Sequence, residues 1–481
     1  MAIELSNLTF TEQDDVVPTS GVEEILNTGI ANTLAGNDRI TGTKDVTIDT
    51  SSPYGIYNYL GTLNTADGDD IITGTITGSK NTPDFSNGIA NFLGTINTGN
   101  GNDIITGIGT FGIIIGSATI DTGDGNDIIT GIGSNGGRGV YLNFGSINTG
   151  DGDDTITGSG ASSSLGIDVN ALGSLDTGKG NDIITGTNGG TGGGYGIVNN
   201  LIINTGEGND KITGTSLGSF GILNLGTMNT DDGNDEITGT DTNNGWGIYN
   251  NSDSTINTGD GNDKITGITG IDNSGIINAG NGEDSIISQG NLTNRGVVFL
   301  EEGNDFIIAN EGYSTRAIDN FNAIETGDGD DTITSNGVIY NEGIINTGNG
   351  DDSIVVEGGF DPFTGNTYGI YNNGGNINTG DGNDSIIANE GFASGPNSSG
   401  AWFLGEGEDY IKGFGSGDFY GGNGFDTLEL TPGTYTVGIW DRVVFAKGNS
   451  LMLASEFEKL KAGGTTYDFA SLTAGQIIVV A

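Results

Sequence analysis

The sequence predicts an all-β fold: a parallel β-solenoid of about 15 enlarged coils, with a small N-terminal cap and a β-rich C-terminal cap. Two observations carry this prediction. A hexapeptide with glycine at its second and fourth places and aspartate at its sixth recurs along most of the chain, as in TGNGND at residues 98–103. An isoleucine then follows two places after nearly every one of these aspartates. A motif that keeps register with an apolar residue predicts stacked structural repeats rather than low-complexity sequence.

The isoleucine column predicts a strand. At Ile105, Ile156 and Ile212 the preceding residue varies in polarity, and the following residue is threonine in most copies. This period-two alternation is typical of a β-strand whose isoleucine faces inward. Two further apolar pieces complete each coil: GI-x-N and the apolar residue shortly before the hexapeptide, such as Ile96. The asparagine of GI-x-N is expected to hydrogen-bond from coil to coil, and neighbouring coils must stack to bury a core.

The spacing of the repeats indicates where coils differ. Successive aspartates lie 17 to 33 residues apart, and 21 is the shortest spacing that recurs. The added residues fall mainly between ITG and the next GI, as in the segment 75–88. Insertions confined to one corner are what a stacked coil tolerates.

Three parts are predicted along the chain: an N-terminal cap over 1–24, the repeat array over 25–428, and a β-rich C-terminal cap over 429–481. The first part contains short apolar alternation and is expected to place one or two strands over the first coil; a disordered leader is the alternative. In the last part, glycine thins out and ordinary strand patterns appear, with a short helix predicted over SEFEKLKAG, residues 455–463.

Charge and composition exclude several function classes. The 481 residues include 63 acidic and 14 basic side chains, a formal net charge of −49, and neither histidine nor cysteine. Such a surface repels nucleic acid and anionic lipid. Imidazole and thiolate chemistry, including disulfides, is excluded. We expect no Sec signal peptide and no transmembrane helix, because the required apolar runs are absent.

The hexapeptide predicts a cation site. Alternate glycines allow backbone carbonyls to turn toward one point, the aspartate adds a carboxylate, and stacking places equivalent turns one strand spacing apart. Calcium accepts six to eight such oxygens, and magnesium is the second choice. The alternative is that the aspartates only cap turns by hydrogen bonds to the backbone. The predicted Ca²⁺ ligands are Asp38, Asp70, Asp103, Asp127, Asp154, Asp182, Asp210, Asp235, Asp263, Asp284, Asp305, Asp331, Asp352, Asp384, Asp409 and Asp426.

The last copy, GGNGFDTLE at residues 421–429, resembles the RTX (hemolysin-type) calcium-binding nonapeptide G-G-x-G-x-D-x-U-x. Earlier copies, such as TGDGNDIIT at 122–130, match it with threonine in place of the first glycine. The resemblance implies calcium bound in the turns of a parallel β-roll with the sixth-place aspartate as ligand. It also implies export by type I secretion with an uncleaved C-terminal signal. Unlike ordinary RTX rolls, each coil has one such turn, and Leu34–Ala35, Lys179 and Leu300–Glu301 depart from the pattern.

These observations predict a secreted or cell-surface calcium-binding structural protein rather than an enzyme. The expected partners are calcium ions, with cell-surface polysaccharide or another surface protein. Adhesion or ice binding is an alternative, as is a polysaccharide-active enzyme on a β-helix, which only fold analogy supports. A secretion module of a toxin is disfavoured because no catalytic domain is predicted before the repeats. Ice binding would use an outward threonine row, although charged residues adjoin it: Thr41, Thr73, Thr106, Thr130, Thr157, Thr185, Thr213, Thr238 and Thr266.

Overall fold

The computed structural model describes residues 2–19, 23–47, 53–78, 86–170, 172–190, 192–243, 245–312, 315–395 and 400–481. The chain forms two compact units, Met1–Gly259 and Asp260–Ala481. Each unit is built from stacked parallel strands, which confirms the predicted β-solenoid. The boundary between the units falls inside the predicted array 25–428, and the three-part division made from the sequence stays a prediction. Among the described residues, no helix is both long and apolar enough to cross a membrane.

A typical coil has three short strands, one in each of three sheets. In chain order these are Asn87–Phe92 in sheet 1, Thr95–Asn97 in sheet 2 and Ile104–Gly109 in sheet 3. The hexapeptide forms the turn between sheet 2 and sheet 3, and the variable insertions lie between sheet 3 and the next strand of sheet 1. Residues 79–85, the middle of the insertion predicted at 75–88, lie outside the described residues.

The strands of the first unit belong to these three sheets. Sheet 1 contains Ile3–Glu4, Ile25–Asn27, Tyr54–Tyr59, Asn87–Phe92, Phe111–Gly116, Val140–Asn143, Leu165–Val169, Tyr195–Asn199, Phe220–Asn224 and Trp246–Asn250. Sheet 2 contains Ile30–Asn32, Thr62–Asn64, Thr95–Asn97, Thr119–Asp121, Ser146–Asn148, Ser174–Asp176, Ile202–Asn204, Thr227–Asn229 and Thr255–Asn257. Sheet 3 contains Val16–Val17, Arg39–Asp45, Ile71–Thr77, Ile104–Gly109, Ile128–Gly133, Thr155–Gly160, Ile183–Asn188, Lys211–Ser216 and Glu236–Asp241.

The second unit repeats the plan and ends in antiparallel strands. Sheet 1 contains Ile271–Asn273, Leu292–Asn294, Arg316–Asn320, Val338–Asn341, Ile370–Asn372 and Phe392–Ser394. Sheet 2 contains Ile276–Asn278, Val297–Phe299, Ala323–Glu325, Ile344–Asn346, Asn376–Asp381, Ala401–Gly407, Gly417–Gly424, Gly433–Ile439, Val443–Lys447, Ser450–Ser455 and Ile477–Val480. Sheet 3 contains Lys264–Gly267, Ser285–Ser288, Phe306–Ala309, Thr332–Ser335, Ser353–Val356, Ser385–Ala388, Tyr410–Lys412, Thr427–Leu430, Lys459–Ala462 and Thr465–Asp468. A separate hairpin pairs Gly359–Asp361 with Asn366–Tyr368, and Leu5–Asn7 and Phe469–Ser471 are single 3₁₀ turns.

The core of each unit is the predicted isoleucine column. Ile105 pairs in register with Ile72 and Ile129, and all three side chains are fully buried. The flanking residues Ile104 and Thr106 are only half-buried, as period-two alternation requires. This agreement confirms the inward assignment of the isoleucines.

The asparagine at or near the end of most strands of sheet 1 forms the predicted ladder. The side-chain amide of Asn199 donates to Oδ1 of Asn224 at 2.9 Å, and that of Asn224 donates to Oδ1 of Asn250 at 2.9 Å. These residues are fully buried, so the ladder satisfies polar groups that water cannot reach.

The two ends of the chain lie against neighbouring coils. Ile3–Glu4 pairs with Ile25 and Leu26, and Val16–Val17 pairs with Arg39 and Ile40. The short helix predicted over 455–463 is wrong. Its centre is the strand Lys459–Ala462, which pairs in parallel with Thr427–Leu430. Leu460 and Ala462 are buried while the lysines beside them face outward. Buried and outward residues therefore alternate with a period of two, which is typical of a strand.

Candidate metal centre

The fourth-place glycine determines the shape of the hexapeptide turn. In the copy at residues 122–127, Gly123 has φ 83° and Gly125 has φ 140°. The second value lies where side chains are almost never found. A Cβ on Gly125 would also lie 1.7 Å from the carbonyl oxygen of Gly101, one coil earlier. Both restrictions explain why the fourth place is glycine in all sixteen copies.

The second place is less restricted. Leu34, Ala66, Asp231 and Glu301 occupy it in four copies, with φ of 68°, 63°, 56° and 71°. Other residues can adopt this left-handed conformation at a moderate cost in free energy. The departures at Leu34 and Glu301 seen in the sequence therefore leave the turn geometry intact.

All sixteen predicted ligands point into the protein. Their side chains are no more than 2 % exposed, although aspartate is normally a surface residue. Within each unit the stacked turns bring them into one file along the corner between sheet 2 and sheet 3. The sequence predicted the repeat of these carboxylates but not their burial.

One oxygen of each carboxylate links neighbouring coils. The backbone N–H of Asp103 donates to Oδ1 of Asp127 at 2.8 Å, and that of Asp127 donates to Oδ1 of Asp154 at 2.8 Å. The same bond recurs along the file in each unit, for example from Asp331 to Asp352 at 2.8 Å. The aspartates therefore do cap the backbone, as the alternative interpretation held, but they cap the preceding coil rather than their own turn. This role accounts for one carboxylate oxygen.

The second oxygen has no protein partner. In fourteen of the aspartates Oδ2 is buried and accepts no hydrogen bond from the residues that the structure describes. The Thr122 hydroxyl lies near enough to lower the pKa of Asp127, but its proton is directed to the carbonyl of Thr149 at 3.4 Å and does not satisfy Oδ2. A buried carboxylate oxygen without a partner is costly. The fourteen are Asp38, Asp70, Asp103, Asp127, Asp154, Asp182, Asp210, Asp284, Asp305, Asp331, Asp352, Asp384, Asp409 and Asp426.

Burial changes the titration of these groups. Desolvation raises the pKa of Asp127 to about 8, against the lowering effects of the Thr122 hydroxyl and the Asp103 N–H, and the carboxylates of Asp103 and Asp154 raise it further. Desolvation likewise raises the pKa of Asp284 to about 8 and that of Asp352 to about 7. Without a cation, Asp127, Asp284 and Asp352 take up protons near neutral pH.

The donor set suits a hard cation. Within the described residues, no three carboxylates converge on one point, so an ion would need backbone carbonyls in addition to Oδ2. The carbonyl oxygen of Gly101 lies against Gly125 of the next coil, and the same close approach recurs at most fourth-place glycines. The aspartate carboxylate is close to the fourth-place glycine of its own turn. In the turn that ends at Asp305, a Cβ added to Gly303 would lie 3.2 Å from Oδ1 of Asp305. Carbonyl and carboxylate oxygens in one corner are the ligands that Ca²⁺ prefers.

Sequence reasoning missed the role of the threonine that opens most turns. Thr98 and Thr122 are fully buried beside the carboxylates, and the Thr98 hydroxyl donates to the carbonyl of Thr122 at 3.3 Å. The signal is present as a recurring threonine at the first place of the hexapeptide. By itself, that signal indicates only a replacement for glycine.

Comparisons with known proteins leave the RTX relationship as a resemblance. No protein-family model matches the chain, and no curated protein matches it. Among solved structures, the chain is similar to the X-ray crystal structure of a hyperactive, Ca²⁺-dependent, beta-helical antifreeze protein from an Antarctic bacterium. The identity is 21 %, the match covers 79 % of this chain and 84 % of the other, and the TM-score is 0.29. The fold of this chain is defined by its own strands and their pairing.

Proposed function

We propose that this protein is a calcium-binding β-solenoid in which Ca²⁺ ions at the hexapeptide turns neutralise the file of aspartates and hold neighbouring coils together. One observation carries the proposal: buried carboxylates recur at every coil, with Oδ1 paired and Oδ2 without a partner in fourteen of them. Random surface acid does not produce a buried, registered file. A divalent cation offsets two such charges, whereas a proton offsets one.

Calcium is proposed over magnesium because of the ligands. Magnesium demands a tight octahedron and gives up its water reluctantly, while calcium accepts many oxygens with tolerant geometry. The turns offer mainly backbone carbonyls with one carboxylate from each coil, and their positions are set by the stacking of the strands. The sixteen sixth-place aspartates are the proposed ligands.

The proposed role is structural, at the cell surface or outside the cell. Ion binding to the folded state adds directly to folding stability, so the fold would depend on a calcium-rich environment. A chain that is loose without calcium suits export in an unfolded form, and type I secretion is the proposed route. The acidic groups repeat alike from coil to coil, which favours a structural role over catalysis.

Counting ions and monitoring the fold together test this proposal. Protein stripped with chelator and then dialysed against calcium is expected to retain several tightly bound Ca²⁺ ions per chain, measured by elemental analysis. Far-ultraviolet circular dichroism is expected to show β signal that rises with calcium, falls with chelator, and responds weakly to magnesium. Retention of no calcium, together with a spectrum and a thermal midpoint that chelator leaves unchanged, would overturn the proposal.

Ice binding is a second candidate, favoured by one feature of the first unit. Its sheet 3 presents a column of threonines, such as Thr130, Thr157 and Thr185, in direct register on the outer face. The next outward column, which includes Ser159 and Thr187, is uncharged as well. Charged residues therefore adjoin the threonine column only on the side that precedes it in each strand, where Lys211 and Glu236 lie. Thr266 does not extend the row, because its side chain is only 5 % exposed.

An ice-recrystallisation assay separates the two candidates. If the face binds ice, the protein inhibits recrystallisation, Thr157→Lys abolishes the effect, and Thr95→Lys on the outer face of sheet 2 leaves it intact. Absence of inhibition by the calcium-loaded protein removes the second candidate and does not affect the first.

A further inference from the structure

The outer face of sheet 1 in the first unit carries a ladder of aromatic rings that is interrupted by a cleft. The rings of Tyr195 and Phe220 stack with centroids 5.6 Å apart, and those of Phe111 and Tyr141 stack at 5.9 Å. Between these pairs lies a cleft of about 450 Å³. The residues that line it include Phe111, Arg138, Ser163, Ser164, Leu165 and Tyr195.

Strand register explains the interruption. Leu165 and Tyr195 are directly paired in one outward column, and the backbone bonds Gly112 N–H to Arg138 and Gly139 N–H to Leu165 place Phe111 and Arg138 in the same column. Phe111 and Tyr195 are therefore three coils apart, about 14 Å at ~4.8 Å per coil. Arg138 and Leu165 occupy the two positions between them, where the column has no ring. The cleft is a gap in an otherwise aromatic surface.

Arg138 is fixed in this gap by its neighbours. Its Nε lies 2.7 Å from Oδ2 of Asp168, whose side chain is 5 % exposed, and its guanidinium carbon lies 4.0 Å from the Tyr141 ring centroid. The pair leaves the floor of the cleft close to neutral. Among the described residues, the two terminal amino groups of Arg138 have no hydrogen-bond acceptor, so they are available as donors.

We propose that the cleft binds a neutral hexopyranose unit of a glycan. The axial C–H face of a β-linked pyranose is apolar and stacks on an aromatic ring, while its equatorial hydroxyls need donors and acceptors at the rim. Phe111 and Tyr195 supply rings, and Arg138 and the exposed Ser163 supply polar groups, the combination expected of a specific concave site. A chain with net charge −49 disfavours a polyanionic ligand.

The second unit contains a similar arginine that is closed off. The guanidinium carbon of Arg316 lies 3.8 Å from the Tyr340 ring centroid and 4.7 Å from that of Phe363, so rings lie close to it on two sides. Arg316 also pairs with Asp319 and Asp361, the latter in the hairpin that covers it. In the part of the chain that the structure describes, no such cover lies over the cleft at Arg138, and a ligand ring fits there.

Isothermal titration of the full chain with short oligosaccharides tests the proposal. The probes are cellotetraose, maltotetraose and tetragalacturonate, in calcium-containing buffer with the fold verified by circular dichroism. At least one neutral tetrasaccharide is expected to bind with a Kd of about 1 mM or tighter, and the acidic one at least tenfold more weakly. Binding by none of the three, or by the acidic probe alone, overturns the proposal.

Matched variants locate the site. Tyr195→Leu is expected to weaken binding about tenfold or more while preserving the fold, because leucine already occupies the adjacent position of the column at Leu165. Tyr195→Phe keeps the ring and is expected to keep binding. Phe144→Ala removes an exposed ring outside the cleft and serves as the control. Equal affinity of the parent and Tyr195→Leu would place the ligand elsewhere. The inference does not depend on the calcium proposal as long as the chain is folded.

Discussion

The backbone N–H of Asp103 donates a 2.8 Å hydrogen bond to Oδ1 of Asp127, the equivalent residue one coil later. Asp127 therefore joins two coils through one carboxylate oxygen, and in fourteen of the sixteen aspartates the other oxygen, Oδ2, is buried and accepts no hydrogen bond from the described residues. The first role of this side chain is the hydrogen bond through Oδ1, and the second is the proposed binding of Ca²⁺ through Oδ2. Substitution of the aspartate, a change of pH and removal of calcium with a chelator affect these two roles differently.

Asp127→Asn is expected to have opposite effects with and without calcium. In calcium the variant should be less stable by about 1–3 kcal/mol and bind at least one fewer ion, because a charged ligand is lost. In chelator it should be more stable than the parent, because a neutral amide replaces a buried carboxylate whose pKa is raised to about 8 by desolvation. Thermal unfolding in the two buffers measures both effects.

The matched control is Asp124→Asn in the same turn. Asp124 is exposed and lies at the third place, so neither condition should shift its midpoint measurably. Destabilisation by Asp127→Asn of the same size in both buffers would argue for a purely structural carboxylate.

Metal-free protein is expected to lose stability as the pH rises from about 4 to 8. Desolvation raises the folded-state pKa of Asp70 and Asp182 to about 7 from 3.8, so the native state keeps protons that the unfolded state releases first. The stabilisation is thus complete below the unfolded pKa and is lost through the folded pKa. Calcium competes with these protons, so the gain in stability on adding calcium should grow over the same range. Urea unfolding at a series of pH values measures both slopes.

Gly101→Ala is expected to destabilise the fold by about 3 kcal/mol or more. Gly101 has φ 148°, and a Cβ there would lie 1.9 Å from the carbonyl oxygen of Gly68. Gly448→Ala, with φ 62° and open space, should cost about 1 kcal/mol, and Gly464→Ala, with open space and an ordinary φ, should cost little. Chemical denaturation of the three variants should give that order. Similar losses for all three would contradict the close approach of stacked turns.

Asn224→Leu is expected to destabilise the first unit by about 2 kcal/mol. Its side-chain amide donates to Oδ1 of Asn250 and to the carbonyl of Thr255, and its own Oδ1 accepts from Asn199. Leucine fills the space but leaves these buried groups with fewer partners. Asn243→Leu, at an exposed position, should be nearly neutral. Equal thermal midpoints for the two variants would show that the ladder does not contribute.

Much of the fold could be predicted because the repeat fixes it. The isoleucines at 105 and 129 repeat two places after aspartate, and only stacked inward strands bury such a column. The asparagine ladder could be predicted for the same reason, because one asparagine recurs in most coils and stacking brings these side chains next to one another. By contrast, the strand at Lys459–Ala462 occurs once, and without a repeat its short apolar pattern was mistaken for a helix.

The candidate site was predicted in its residues but not in its geometry. Local sequence places an aspartate after a glycine turn, and an isolated turn of this kind would expose it to water. Burial of Asp127 arises only because the coils at Asp103 and Asp154 cover it from both sides. The cleft beside Arg138 was likewise hidden, since it depends on which residues of three different coils share a column.

The carboxylate ladder has a direction. Within each unit the backbone N–H of one aspartate donates to the carboxylate of the next coil, and at the final copy the N–H of Asp426 donates to the side chain of Glu458 at 2.8 Å. If the coils after a given turn are not yet folded, the backbone N–H of the aspartate in that turn has no carboxylate acceptor. Glu458 supplies the acceptor for the last of these donors, so the final turn gains its hydrogen bond only when the segment around Glu458 packs against it.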